Sequence, residues 1–184
     1  MARIALLSTS DTDLLSARSS RADFALANPA RLDVDAELAG VIEGADLIVV
    51  RILGSARSWQ AGLDAVLATG RPVIVLGGEQ TPDAELMGHS TVPVGTAAEA
   101  HRYLAQGGPA NLAQLHAFLS DTVLLGGEGF EAPVEIPEWG VVDRVSIRPS
   151  AYSINGERLL LDRRADQLPL TRLRSTNCRM PPLR

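Results

Sequence analysis

The sequence predicts an α/β domain with a mostly parallel, open, three-layer sheet of the flavodoxin-like kind and extra helices after its third strand. Three observations lead to this fold class. Short apolar runs alternate with segments of helical period up to about residue 124. Runs such as Leu47–Val50 are continuously apolar, which is typical of strands covered on both faces. Strand-then-helix units in succession favour a parallel sheet with right-handed crossovers and helices on both faces.

The elements follow in order from this pattern. Three strands are predicted over residues 3–8, 46–53 and 73–76. A first helix starts after the capping residues 10–13 and runs to about Ser20, and Asn28-Pro29 indicates a turn within residues 21–34. Further helices are predicted over residues 35–43, 56–68, 83–87, 96–105 and 111–124.

Polar residues and glycines follow the predicted strands, where ligands bind in open parallel sheets. Ser10 and Asp11 lie in the loop after the first strand, where hydroxyls and backbone N–H groups can hold an anion or a polar ligand edge. The alternative for this loop is a helix N-cap. Gly77, Gly78 and Glu79 follow the third strand, where glycine lets backbone approach a ligand, or simply forms a tight turn.

Arg51 lies near the end of an apolar strand, so its positive charge needs a partner. The candidates are Glu79, Asp11 or the carboxylate of a ligand, and a structural ion pair is favoured slightly over ligand contact. Together with Ser10, Asp11, Gly77, Gly78 and Glu79, this residue makes up the predicted ligand-binding set.

No combination of residues predicts catalysis or a metal site. The loops match neither the dinucleotide fingerprint nor the P-loop, and no serine has the context of a hydrolase nucleophile. The three histidines, His89, His101 and His116, lack the spacing of a helical metal site, and the single cysteine, Cys178, cannot form a zinc cluster. The net charge of −5 argues against nucleic-acid binding, and no apolar run reaches membrane-spanning length. We expect a cytoplasmic protein.

The charge pattern changes sharply near Asp143. Residues 1–143 contain 8 arginines and 19 acidic residues, whereas residues 144–184 contain 9 arginines and 3 acidic residues, and the chain has no lysine. One interpretation is a basic arm that binds an acidic partner or nucleic acid. The other is translation of GC-rich coding DNA in a shifted frame, which yields arginine, proline, serine and leucine in abundance.

The domain organisation follows from these patterns. Residues 1–125 are predicted to form the α/β domain, and residues 126–143, rich in glycine and proline, a connector to a following domain. Residues 144–184 are predicted to be a basic tail that is disordered or out of frame, which limited proteolysis would trim back to near Asp143.

Several segments together resemble the amino terminus of the large subunit of cobaltochelatase, in the family that includes the H subunit of magnesium chelatase, and especially its actinobacterial members. The segments that carry this resemblance are 6–15, 46–54, 75–80, 107–112 and 115–124. The resemblance covers residues 4 to 143, roughly a tenth of the family's length, and ends near Asp143-Arg144. A truncated or frameshifted reading frame would explain both this end and the change in charge.

The resemblance implies a tetrapyrrole-binding subunit that works with two smaller ATP-hydrolysing subunits. The intact complex of that family inserts cobalt(II) into hydrogenobyrinic acid a,c-diamide, in cobalamin biosynthesis. The family's metal-insertion centre lies in later parts of the chain, so no catalytic residue is carried over and the fragment is expected to bind no cofactor itself. The alternative is an autonomous α/β module that binds a small molecule without catalysis; a stand-alone small enzyme has the least support.

Overall fold

The computed structural model describes residues 2–34 and 36–135, together with the backbone of residues 153–154 and 157–158. Four parallel strands form the sheet, in the order β2-β1-β3-β4: β1 (Ile4–Ser8), β2 (Phe24–Ala27), β3 (Leu47–Ile52) and β4 (Val73–Gly77). This order is that of the first four strands of a flavodoxin-like sheet. The predicted fold class is confirmed.

Helices cover both faces of the sheet. The described residues form six α-helices: α1 (Asp11–Ser20), α2 (Leu38–Ile42), α3 (Gln60–Leu67), α4 (Ala84–Met87), α5 (Val94–Gln106) and α6 (Gly108–Thr122). Alternate residues of the central strands point to opposite faces, so Leu6 and Val49 pack with α1, α5 and α6, whereas Leu7 and Val50 pack with α2 and α3. The continuous apolar runs of the sequence thus supply two cores, one on each face of the sheet.

The sequence prediction missed one strand. β2 occupies residues that were assigned to a connection, and it pairs with β1 from Ile4↔Phe24 to Leu7↔Ala27. All four of its residues are only half-buried because β2 is an edge strand. The predicted helix over residues 56–68 also differs, since it begins as a 3-10 turn (Ala56–Trp59) and becomes α-helical only at Gln60.

The outer edge of β4 is closed by side-chain hydroxyls. The Ser90 hydroxyl accepts from Val75 N at 2.9 Å and lies 3.3 Å from Val75 O, and the Thr91 hydroxyl accepts from Val73 N at 2.8 Å. The Thr91 backbone N–H donates to Val73 O. These bonds satisfy backbone groups that a neighbouring strand would otherwise pair, which protects the edge from further strand addition.

The chain then crosses the sheet twice on one face and returns as an extended segment, residues 126–135, which we call the strap. Helix α5 ends beside the β4–α4 loop, because Gln80 donates to Ala105 O there. Helix α6 runs back, since its His116 binds Ala2 O at the start of β1. The strap then follows α6 in reverse, with Phe130 edge-on to Phe118 and Val134 bonded to Asn111.

Beyond residue 135 the structure describes only two short strands, Ser153–Ile154 and Glu157–Arg158, which pair antiparallel. The chain divides into two units, Met1–Glu138 and Trp139–Arg184. The predictions for the end of the connector and for the basic tail lie outside the described residues, apart from these two strands. Within the described part of the chain, no helix is long and apolar enough to cross a bilayer.

Candidate functional site

The loops after β1, β3 and β4 meet at the carboxyl edge of the sheet, which we define as residues 8–13, 51–55 and 77–82. Strand order reverses between β1 and β3, and ligands of doubly wound sheets bind outside this switch point. Here the two loops are bonded to each other. Thr9 N donates to Arg51 O at 3.1 Å, and Leu53 N donates to the Thr9 hydroxyl at 2.9 Å.

A buried ion pair lies directly behind this junction. One terminal nitrogen of Arg51 (Nη1) is 2.9 Å from both carboxylate oxygens of Asp13, and each residue is only 6% exposed. The Ser8 hydroxyl donates to the same carboxylate at 2.7 Å. The structural ion pair favoured from the sequence is therefore present, but both partners proposed within the protein, Glu79 and Asp11, are wrong.

Arg51 is further held by three backbone carbonyls. It donates to Gly77 O, Gly78 O and Leu104 O at 3.2, 2.9 and 3.0 Å. Leu104 lies near the end of α5, where the exposed carbonyls give the helix a partial negative charge. One guanidinium thus joins β3, the β4 loop, α1 and α5, and its charge is compensated within the protein.

Ser10 and Asp11 are also engaged in local bonds. The Ser10 hydroxyl accepts from Asp13 N and caps α1, as the N-cap alternative expected. The exposed Asp11 carboxylate accepts from Asn28 Nδ2 at 3.0 Å and Arg31 Nη2 at 2.7 Å. These two hydrogen bonds, the one from Asn28 first, lower the pKa of Asp11. Both residues tie the start of α1 to its surroundings.

The glycines at the end of β4 lie close against neighbouring side chains. A Cβ on Gly78 would come within 2.5 Å of Leu53 Cγ, and one on Gly77 within 3.0 Å of Asp83 Cβ. Leu53 itself remains 52% exposed. The tight-turn interpretation accounts for both glycines.

The Glu79 side chain is exposed, whereas its backbone carbonyl is bonded to the buried ring of His101. Burial lowers the pKa of His101; its hydrogen bond to the Glu79 carbonyl opposes this effect, and the nearby charge of Arg51 adds to it. Sequence reasoning had considered this histidine as a candidate metal ligand and otherwise expected a partly exposed helix residue. Its position facing inward on α5 was the available signal, because it lies between Ala97 and Leu104 on the buried stripe.

A cavity of about 160 Å³ opens beside His101 and is lined by Gln80, Pro82 and, from the strap, Pro133 and Glu135. Ligand pockets for drug-sized molecules usually measure about 300–1,000 Å³. A larger cavity, of about 480 Å³, lies by Arg71-Pro72 at the opposite end of β4. Among the described residues, no group of three or more histidine, cysteine, aspartate or glutamate side chains could hold a metal ion.

The described residues therefore define a flavodoxin-like α/β domain whose carboxyl edge is closed by its own side chains. The search of solved structures adds a relative. The chain is similar to the catalytic subunit of cobaltochelatase from Mycobacterium tuberculosis, with 54% sequence identity and a TM-score of 0.74. The match covers 78% of this chain and 12% of that one. No protein-family profile and no curated protein matches the sequence.

This relationship confirms the resemblance stated from the sequence, and it is with an actinobacterial protein. The chain spans only 12% of the length of this relative, so it corresponds to a small part of a cobaltochelatase catalytic subunit.

Proposed function

We propose that this chain supplies one domain of a cobaltochelatase large subunit, at its amino terminus, and that the domain has no catalytic role by itself. In the intact complex the subunit would bind hydrogenobyrinic acid a,c-diamide and receive cobalt(II), with ATP hydrolysed by two smaller subunits. The observation that carries the proposal is the 54% identity over 78% of the chain to a cobaltochelatase catalytic subunit.

The chemistry of the described residues supports a non-catalytic role. The buried Arg51–Asp13 pair is surrounded by protein acceptors and donors. The buried His101 is bonded to a backbone carbonyl rather than to a reacting group. General acid–base catalysis needs a titratable group within hydrogen-bond reach of substrate, and these groups are turned toward the interior.

Ligand contact at the predicted set remains a hypothesis for its exposed members. Arg51 and Gly77 are buried, whereas Asp11 and Glu79 present side chains to solvent. If the tetrapyrrole reaches this domain, contact would fall on these two residues and on the neighbouring backbone of Gly78.

A chimera tests the proposed function. The matching segment of the Mycobacterium tuberculosis catalytic subunit would be replaced by residues 2–135 of this chain, and cobalt insertion would be measured with that organism's other subunits. We expect the chimera to insert cobalt, because the two segments are 54% identical and superpose with a TM-score of 0.74. A subunit without the segment is the control. A folded but inactive chimera would contradict the proposal.

The alternative of an autonomous binding module is supported by one observation: both core clusters lie wholly within residues 4–124. Isothermal titration separates the two proposals. Heat from hydrogenobyrinic acid a,c-diamide with this chain alone would favour the module, and heat only with the full-length subunit would favour the domain.

A further inference from the structure

The carboxyl edge of the sheet is the end of the domain at which the strap arrives. The strap is fixed to α5 and α6 along its length. Glu131 N donates to Gln114 Oε1 at 2.7 Å, and the Tyr103 hydroxyl donates to Glu131 O. Asn111, only 3% exposed, exchanges two bonds with Val134, at 2.8 and 2.9 Å. An amide side chain that bonds both the N–H and the C=O of one residue holds the strap as a neighbouring strand would.

Residues 133–135 consequently have a fixed place on this edge. Pro133 and Glu135 line the small cavity with Gln80 and His101. Chain that continues past residue 135 therefore starts at the carboxyl edge of the sheet.

The surface available at this edge suits a protein partner better than a small ligand. Its charged and polar groups are paired internally, as with Arg51 and Asp13, and its cavity of about 160 Å³ is small. Leu53, 52% exposed, faces solvent here among exposed polar residues such as Glu79, and Val134 on the strap is 64% exposed. A surface of mixed polar and apolar groups is typical of an interface between domains of one chain, which is more polar than a permanent interface between subunits.

We infer that the carboxyl edge, at Leu53-Gly54 and Gly78–Gln80 and beside Val134, is where this domain docks on the remainder of the cobaltochelatase large subunit. The inference rests on the proposed function. The occupant follows from two facts: the chain corresponds to 12% of its relative, which leaves most of a subunit to be accommodated, and the strap leads toward this edge. The edge of β4 is a poorer candidate because the Ser90 and Thr91 hydroxyls close it.

Hydrogen exchange provides the test. Amide exchange would be compared between this chain and the full-length chimera described above, both without tetrapyrrole. We expect amides of residues 53–57 and 78–81 to exchange at least about tenfold more slowly in the chimera, since docking excludes solvent from them. Residues 68–71 and 94–96, at the opposite end of the sheet, should exchange equally in both.

A pair of matched variants gives a second measurement. Leu53→Asp and Val94→Asp each place a charge at an exposed apolar residue, 52% and 75% exposed, at opposite ends of the domain. The folding cost of each is measured in this chain alone. In the chimera, only Leu53→Asp should lower the unfolding temperature beyond that cost.

Two outcomes would overturn the inference. Equal exchange at the edge in the short chain and in a chimera that inserts cobalt would remove the docking site and leave the proposed function standing. Protection that appears only after hydrogenobyrinic acid a,c-diamide is added would assign the edge to the ligand instead. If the chimera does not insert cobalt, the proposed function fails, and the same comparison on the Mycobacterium tuberculosis subunit and its matching fragment still decides where that domain docks.

Discussion

At the scale of single residues, Arg51 shows why a charged side chain at the end of a buried strand need not be a binding residue. Its partner, Asp13, lies two residues beyond the aspartate proposed from the sequence. Spacing along the sequence could not distinguish Asp11 from Asp13 as the partner, because neighbouring side chains in the first turn of a helix point in different directions. In the structure, Asp13 faces the core and Asp11 faces solvent. The sequence indicated that Arg51 needs a charged partner, and only the position of α1 in the structure shows that this partner is Asp13.

Removing Arg51 should therefore damage stability severely. The variant Arg51→Met leaves Asp13 as a buried, unpaired charge and three carbonyls without their donor. We expect a loss of about 3–5 kcal/mol in the free energy of unfolding, measured by urea denaturation. The double variant with Asp13→Leu should lose less than the two single variants together. A loss near that of an ordinary surface substitution, about 0.5 kcal/mol, would contradict the assigned role.

His101 should make stability depend on pH in a defined direction. Because burial lowers its pKa in the folded state, the unfolded chain binds the proton more readily below about pH 6.5. Stability is therefore fully present above that pH and falls as the pH drops toward the folded pKa, by up to about 1.4 kcal/mol per unit. The groups that face this ring are Arg51 and the Glu79 carbonyl, and Gln80 and Glu135 line the adjoining cavity.

The measurement is the free energy of unfolding between pH 7.5 and 5.5 for the natural chain and for His101→Gln, which has an amide donor for the Glu79 carbonyl. The variant should lose less stability over this range, and the NMR titration of His101 should give a midpoint below the ordinary value. A midpoint above it would show that the hydrogen bond outweighs burial.

At the scale of elements, the buried strands were predictable and the edge strand was not. β1, β3 and β4 are continuously apolar because helices cover both faces, and a continuous run is a strong signal. β2 has only four residues, Phe24–Ala27, with two alanines, and half-buried residues leave little pattern to detect. The 3-10 start of the helix after β3 was equally invisible, since i→i+3 and i→i+4 turns differ little in sequence.

The strap is an element whose importance the sequence understated. Its glycine- and proline-rich sequence predicts a connector, yet residues 126–135 pack along α6. We expect Asn111→Ala to cost about 1–3 kcal/mol of stability, because it removes both bonds to Val134. It should also open residues 126–135 to proteases. Urea denaturation and limited proteolysis with mass spectrometry would measure the two effects.

The matched control for Asn111 is Gln114→Ala, which removes one bond to the strap from a partly exposed side chain. It should cost less than Asn111→Ala. Asn111→Asp keeps an acceptor for Val134 N but places a buried carboxylate oxygen against Val134 O, so at neutral pH it should cost at least as much as Asn111→Ala. Equal, small effects for all three variants would mean that the strap contributes little to the fold.

At the scale of the whole molecule, the two cores predict where the chain can be cut. Both clusters are built from residues before 125, and the strap adds contacts up to residue 135. A chain ending at residue 138 should therefore unfold in one transition with the stability of the full chain, within about 0.5 kcal/mol. A chain ending at residue 125 should lose roughly 1 kcal/mol for each buried bond to the strap, besides the packing of Phe130 on Phe118. Urea denaturation of the three lengths tests this. If the chain ending at residue 138 were markedly less stable than the full chain, the second unit would contribute to the fold of the first, and the sheet could not be treated as one domain of a larger subunit that folds independently.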